Sequence, residues 1–182
     1  MEKQQYTIAV FTENHIGLLN KITIVFTRRK INIESLTVSE SQIAGIHSFT
    51  IVVNCTTETV QKVVNQIDKL VEVIKAFYYD DDQIIAQEIG LYKMPIGAIK
   101  QGVNMGRFIR ENNARILDIQ DEYFVIEKTG TTTQTQELLE KLKPFGILEF
   151  VRSGRVIVTK PMKPLTQYME EKQAAHIFTR PQ

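Results

Sequence analysis

Tryptophan is absent from this 182-residue chain and cysteine occurs once, at Cys55. A single thiol cannot close an internal disulfide, so a reducing compartment, the cytoplasm, is the expectation. No apolar run approaches the roughly 20 residues that span a bilayer as a helix. The opening Met1-Glu2-Lys3-Gln4-Gln5 lacks the apolar stretch of a signal peptide. An excess of charge is missing as well: 22 basic against 21 acidic residues leave a formal +1, with no global pull toward nucleic acid or an anionic membrane.

The motifs of covalent chemistry are equally scarce. There is no G-x-S-x-G, no phosphate-binding P-loop and no G-x-G-x-x-G. His15, His47 and His176 are scattered without the spacing of paired metal ligands. Cys55 ends an apolar run with no candidate base nearby, which reads as packing rather than nucleophile. Gly102 and Gly106, four residues apart, mark weak helicity or a turn. Neither a catalytic residue nor a metal ligand is expected on this chain.

What is present begins at Tyr6. Tyr6-Thr-Ile-Ala-Val-Phe11 is rich in β-branched and aromatic residues, the composition of a strand. Leu18, Leu19, Ile22, Val25 and Phe26 then recur at the spacing of one helix face. Gly17 therefore stands at a helix N-terminus, where unpaired N–H groups and the positive end of the helix dipole favour a carboxylate. Asn14 adds an amide with both donor and acceptor atoms, which a free amino acid requires. Asn and Gly are also ordinary strand-to-helix punctuation, and Asn14-x-x-Gly17 alone reads more readily as a turn. Asn32 opens the next strand, and in a compact βαβ unit its amide is expected to approach the same pocket.

The apolar pattern predicts two copies of one βαββαβ unit. In the first, strands at Tyr6–Thr12, Ile31–Ser39, Ile46–Asn54 and Val71–Tyr79 alternate with helices at Leu18–Arg29 and Thr57–Leu70. In the second, strands at Ala86–Met94, Arg115–Gln120 and Tyr123–Thr129, and strands from Ile147 to Thr159, accompany helices at Gly97–Asn112 and Gln134–Lys143. The repeat of roughly 80 residues suits tandem domains: residues 1–80, a linker at 81–84 that overlaps the solvated Asp80-Asp81-Asp82-Gln83, and 85–160. The fold class is α+β, two ferredoxin-like domains, each an antiparallel sheet with both helices on one face. The other face has few reliably polar positions, so a second copy of the chain is expected to cover it. Beyond Pro161 and Pro164 the chain is a tail, 161–182, with a short helix near Tyr168–Ala175 and either a free or a docked role. The RRM shares this topology, but Phe49, Tyr123 and Phe124 lie outside an RRM-like motif and read better as core.

At this point the residues carry a family likeness. Glu13-Asn14-x-x-Gly17-x-Leu19, Arg29-x-x-Asn32-Ile33-Glu34-Ser35-Leu36-Thr37-Val38, Lys69-Leu70-Val71-Glu72-Val73-Ile74, Glu88-Ile89-x-Leu91-x-Lys93 and Arg152-Ser153-Gly154 resemble the regulatory (small) subunit of acetolactate synthase. The resemblance spans about Tyr6 to Lys160. It implies an N-terminal ACT domain, a C-terminal ACT-like domain and a homodimer formed through the ACT domains. It further implies a branched-chain amino acid, valine first, as effector at the dimer interface. The partner it implies is a catalytic (large) subunit that carries thiamine diphosphate, FAD and Mg²⁺ and is activated and feedback-inhibited by the small one. The effector-binding positions carry over to Asn14, Gly17 and Asn32, with Leu18, Leu19 and Ile33 as neighbours and Ser39 beside them. Two positions depart from the family pattern: Lys30 stands where glycine is usual, and Ser48 where a basic residue is common. An ACT-containing sensor of some other enzyme is the alternative reading, with RNA binding behind it.

Overall fold

In the computed structural model, residues 2–100, 104–160 and 166–171 are described. Contacts divide the chain into two compact units, one comprising Met1–Ile85 with the chain from Ile157 onward, the other Ala86–Val156.

The first unit runs β1 (Gln4–Glu13), α1 (Leu18–Arg28), β2 (Ile33–Glu40), β3 (Ile46–Cys55), α2 (Thr57–Ile67) and β4 (Val73–Tyr79). Its strands lie in the order β2-β3-β1-β4, all pairs antiparallel. The second repeats the plan with β5 (Ile84–Pro95), α3 (Met105–Glu111), β6 (Arg115–Ile119), β7 (Tyr123–Gly130), α4 (Thr132–Leu142) and β8 (Glu149–Arg152) in the order β6-β7-β5-β8. A further strand, β9 (Val156–Thr159), pairs with β5. Both sheets therefore have the ferredoxin-like order expected from the sequence.

Alternation along the strands places the cores. Tyr6, Ile8 and Val10 of β1 pack under Leu18, Ile22, Val25 and Phe26 of α1 and Val60, Val63, Val64 and Ile67 of α2. Cys55 is buried in the same core, and loss of hydration pushes its thiol pKa up. In the second unit Tyr92, Met94, Phe124 and Ile126 pack with Met105, Ile109, Leu138 and Leu142. Phe49 and Phe124 are thus core residues.

The first helix of each unit ends in the same way. Lys30 N–H donates to the Thr27 carbonyl at 3.0 Å and Ile31 N–H to that of Phe26 at 3.1 Å. Asn113 N–H donates to Arg110 and Ala114 N–H to Ile109, both at 3.0 Å. These crossed bonds form a Schellman motif, which needs a left-handed residue after the helix. Lys30 supplies it at φ 55° and Asn113 at φ 51°. The turn that a glycine would make easily is kept by a lysine.

Three expectations change. The single helix predicted over Gly97–Asn112 resolves into a 3₁₀ turn at Ile96–Lys100 and the seven-residue α3. Asn104 breaks the run, because its side chain caps α3 by accepting Arg107 N–H at 3.0 Å. The linker region is a 3₁₀ turn at Asp81–Gln83, in which Gln83 Oε1 accepts Asp80 N–H at 3.1 Å and Lys160 N–H donates to the Gln83 carbonyl at 3.0 Å. The strands expected between Ile147 and Thr159 are β8 and β9, separated at Ser153-Gly154-Arg155. Finally, the sheet face opposite the helices of the first unit is covered in part by the chain itself. Thr7, Ala9, Thr50 and Val52 on that face are buried. Residues 166–171 are helical, Met169 packs beside Ile46 and Ile74, and Tyr168 meets Phe77 edge-on at 5.0 Å between ring centroids. Pro161, Pro164 and residues 172–175 of the predicted tail lie outside the described residues.

The second unit fastens α4 to its sheet through buried polar groups. Glu88 accepts hydrogen bonds from Thr135 Oγ1 at 2.6 Å and Thr132 Oγ1 at 3.0 Å, and Arg152 Nε lies 3.3 Å from it. Tyr92 donates its hydroxyl to the Thr135 carbonyl at 2.6 Å. A buried carboxylate so supplied with donors and a cation is compensated for its lost hydration.

Candidate functional site

The turn between β1 and α1 is held by backbone bonds before any side chain contributes. Glu13 N–H donates to the Glu72 carbonyl at 3.0 Å, Asn14 N–H to Gly45 at 3.1 Å and His15 N–H to Glu13 at 3.1 Å. Gly17 then turns the chain into α1 in the left-handed conformation, φ 85°. A Cβ there would meet nothing within 4 Å, so the requirement for glycine is conformational, at about 1–2 kcal/mol for another residue.

The entry to α1 differs from the other helices. Thr56, Asn104 and Thr131 cap α2, α3 and α4, each accepting a backbone N–H three residues on. No side chain caps α1. Leu18 N–H is engaged by the His15 carbonyl at 3.3 Å, and the next N–H groups of the first turn have no acceptor among the described residues. That end of the helix carries the positive pole of the dipole and donors to spare.

Over it lies a pocket of about 190 Å³, lined by Thr12, Glu13, Asn14, His15, Gly17, Leu18, Leu19, Val38, His47 and Phe49. The volume is well below the roughly 300 Å³ at which drug-sized ligand sites begin, a scale suited to one small metabolite. One wall is apolar, built from Leu18, Leu19, Val38 and Phe49; the rest is polar. Around the mouth, His15 Nε2 lies 3.2 Å from Glu13 Oε2. Lys21, bound to the Glu72 carboxylate, holds that group below the usual carboxylate range. Ile16, at the tip of the turn, is fully exposed.

Of the residues singled out from the sequence, Asn14, Gly17, Leu18 and Leu19 meet in this pocket. Asn32, Ile33 and Ser39 do not. Ile33 pairs with Val53 of β3, which pairs with Tyr6 of β1. Asn32 therefore lies level with the start of β1, roughly 25 Å along the strands from Asn14 at about 3.3 Å per residue. Its amide donates instead to Glu34 Oε1 at 3.1 Å. The expected approach of Asn32 to Asn14 within one chain does not occur, because β3 separates β2 from β1. Ile33 packs against the core. Ser39 pairs with Ser48, on the strand face opposite that of Val38 and Phe49. Sequence reasoning missed Thr12, Val38, His47 and Phe49. The register joins them, with Thr12 opposite His47 and Val38 opposite Phe49.

Both units match known proteins. Residues 8–75 match the family model "AHAS small subunit-like ACT domain" and residues 87–161 match "Small subunit of acetolactate synthase". The chain is 31% identical over 165 residues to the acetolactate synthase small subunit of Mycobacterium bovis, covering 88% of this chain and 95% of that one. It is 32% identical over 148 residues to that of Bacillus subtilis, covering 81% and 86%. The crystal structure of the acetolactate synthase small subunit from Thermotoga maritima superposes with a TM-score of 0.78 at 25% identity, over 88% of this chain and 99% of that one.

Proposed function

This chain belongs to the acetolactate synthase small-subunit family, and we propose that it binds a branched-chain amino acid, valine foremost, and regulates a separate catalytic subunit. The observation that carries the reading is the uncapped N-terminus of α1 opening into a small, half-apolar pocket. The N–H groups after Gly17 receive the effector's carboxylate. Asn14 and the Glu13 carboxylate offer acceptors to its ammonium. Leu18, Leu19, Val38 and Phe49 accommodate a branched aliphatic side chain.

Assembly as a homodimer completes the site. β2 is an edge strand, with backbone groups open to another strand. Antiparallel pairing of β2 with its counterpart in a second copy sets the start of one β2, with Asn32, beside the end of the other, where the pocket lies. An isologous pair so built carries two equivalent sites. The thiamine diphosphate, FAD and Mg²⁺ of the reaction belong, in this reading, to the catalytic subunit in the cytoplasm.

The test is the acetolactate synthase activity of the cognate catalytic subunit, measured with and without this chain and titrated with valine, leucine and isoleucine. Added chain should raise turnover, and valine should then lower it. Leucine and isoleucine should act more weakly, since one methylene discriminates by about 1–3 kcal/mol. Full activity of this chain alone, or no response of the complex to any of the three, would sink the proposal.

A further inference from the structure

The sheet of the first unit carries a second, smaller apolar cluster on the face away from its helices. There Ile46 at 6% exposure and Ile74 at 8% pack with Phe11, Ile43 and Met169. Phe77 extends the cluster: its ring meets Phe11 edge-on at 6.5 Å, stacks on Tyr79 at 6.0 Å and takes Tyr168 edge-on at 5.0 Å. In the helical stretch 166–171, Tyr168 and Met169 are half-buried and the other residues are exposed. The stretch belongs to the first unit and is reached from a fixed root. Lys160 N–H donates to the Gln83 carbonyl at 3.0 Å, and its ammonium donates to the carbonyl of Asp82. The family models end at residue 161, so no role for these residues carries over from them.

What the small cluster backs gives it a consequence. Ile46 pairs with Glu13 at the end of β1, Ile43 lies in the turn between β2 and β3, and Ile74 stands at the start of β4. The bonds that hold the β1–α1 turn run among these same three segments, from Glu13 N–H to the Glu72 carbonyl and from Asn14 N–H to that of Gly45. Met169 is therefore seated behind the turn. Six helical residues do not persist alone, and ordering them costs conformational entropy on the scale that burying two side chains returns. Docking is thus close to balance. We infer that residues 166–171 form a strap that braces the β1–α1 turn from behind, so that docking of the strap and order in the turn are coupled. The coupling is reciprocal: releasing the strap loosens the end of β1, and whatever orders the turn draws the strap down. Where it concerns a ligand it rests on the effector reading above, and an amino acid on the turn then gains affinity from the docked strap.

Amide hydrogen exchange on the full chain without ligand, read at Glu13 and Asn14, tests the brace, while the nuclear Overhauser contact between the Tyr168 and Phe77 rings reports docking. Met169→Asp sets a carboxylate in the apolar seat. It should abolish the ring contact and speed exchange at both amides about tenfold, leaving α2, which packs on the other face of the sheet, protected as in wild type. Met169→Ala should act in the same direction by a smaller factor, and Met169→Leu, which keeps the apolar contact, should behave as wild type. If the ring contact is lost and the two amides exchange as before, the brace is overturned. If the contact is missing from wild type or survives Met169→Asp, the strap itself is overturned. Calorimetry with L-valine forms a separate arm, in which Met169→Asp should weaken binding by the factor seen in exchange. Equal valine affinity in wild type and variant overturns the coupling to a ligand. No valine binding to wild type removes the effector reading alone, and the exchange result still decides the strap.

Discussion

The two units share one topology and close their first helices with the same left-handed turn, yet they open those helices in opposite ways. In the second, Asn104 folds its side chain over the start of α3 and occupies the donor that a ligand would use. In the first, Gly17 carries no side chain to do so, and a pocket lies where the cap would be. The fold supplies the same helix N-terminus twice; the residue before it decides whether that terminus is capped by a side chain or left open.

The strongest way to break this contrast is Gly17→Asp, which puts a carboxylate where the effector's own should sit. Valine affinity, read by calorimetry, should fall at least a hundredfold, and the complex with the catalytic subunit should stay active while resisting valine. An unchanged affinity would end the assignment of this turn. Asn32→Ala should weaken valine by about one to two orders of magnitude through loss of a hydrogen bond to a charged group. Its effect should vanish in any variant held as a monomer.

Removing the cap of the second unit tests the other half of the contrast. Asn104→Ala should cost about 1 kcal/mol of stability, seen in denaturant unfolding, and leave valine affinity unchanged. The shared helix ends give a matched pair. Lys30→Gly relieves a left-handed lysine and should stabilise by up to about 1 kcal/mol, whereas Asn113→Gly should gain only a few tenths, because asparagine tolerates that conformation.

The last effect appears only in alkali. Burial raises Tyr79 in the first unit and Tyr92 in the second to about 12. For an acid whose folded pKa lies above its unfolded value near 10, the protonated form is the one folding favours. That stability is fully present below pH 10 and is lost as the pH climbs from about 10 to 12. Thermal melts across that range should fall, and Tyr92→Phe should flatten the part that belongs to the second unit.

Local patterns in the chain specified most of the fold and four of the ten residues that line the pocket. Asn14, Gly17, Leu18 and Leu19 were legible because one turn and one helix face hold them within six residues of sequence. Val38, His47 and Phe49 reach the same place only through strand register, which a periodicity of two specifies within a strand but not between strands. Asn32 was misplaced for the complementary reason: nearness in sequence to α1 concealed that β3 inserts between β2 and β1. The helix over Gly97–Asn112 was overextended because apolar residues continue through a region where Asn104 caps rather than propagates.

Cys55, buried in the core of the first unit, makes that unit report on itself. The second unit contains no cysteine, so a thiol-specific reagent labels this protein when the first unit opens around its raised-pKa thiol. An effector that binds only the closed form lowers the open population by the factor 1 + [L]/Kd. The rate of labelling against effector concentration thus becomes a binding curve, written by a native residue without dye, tag or catalytic partner.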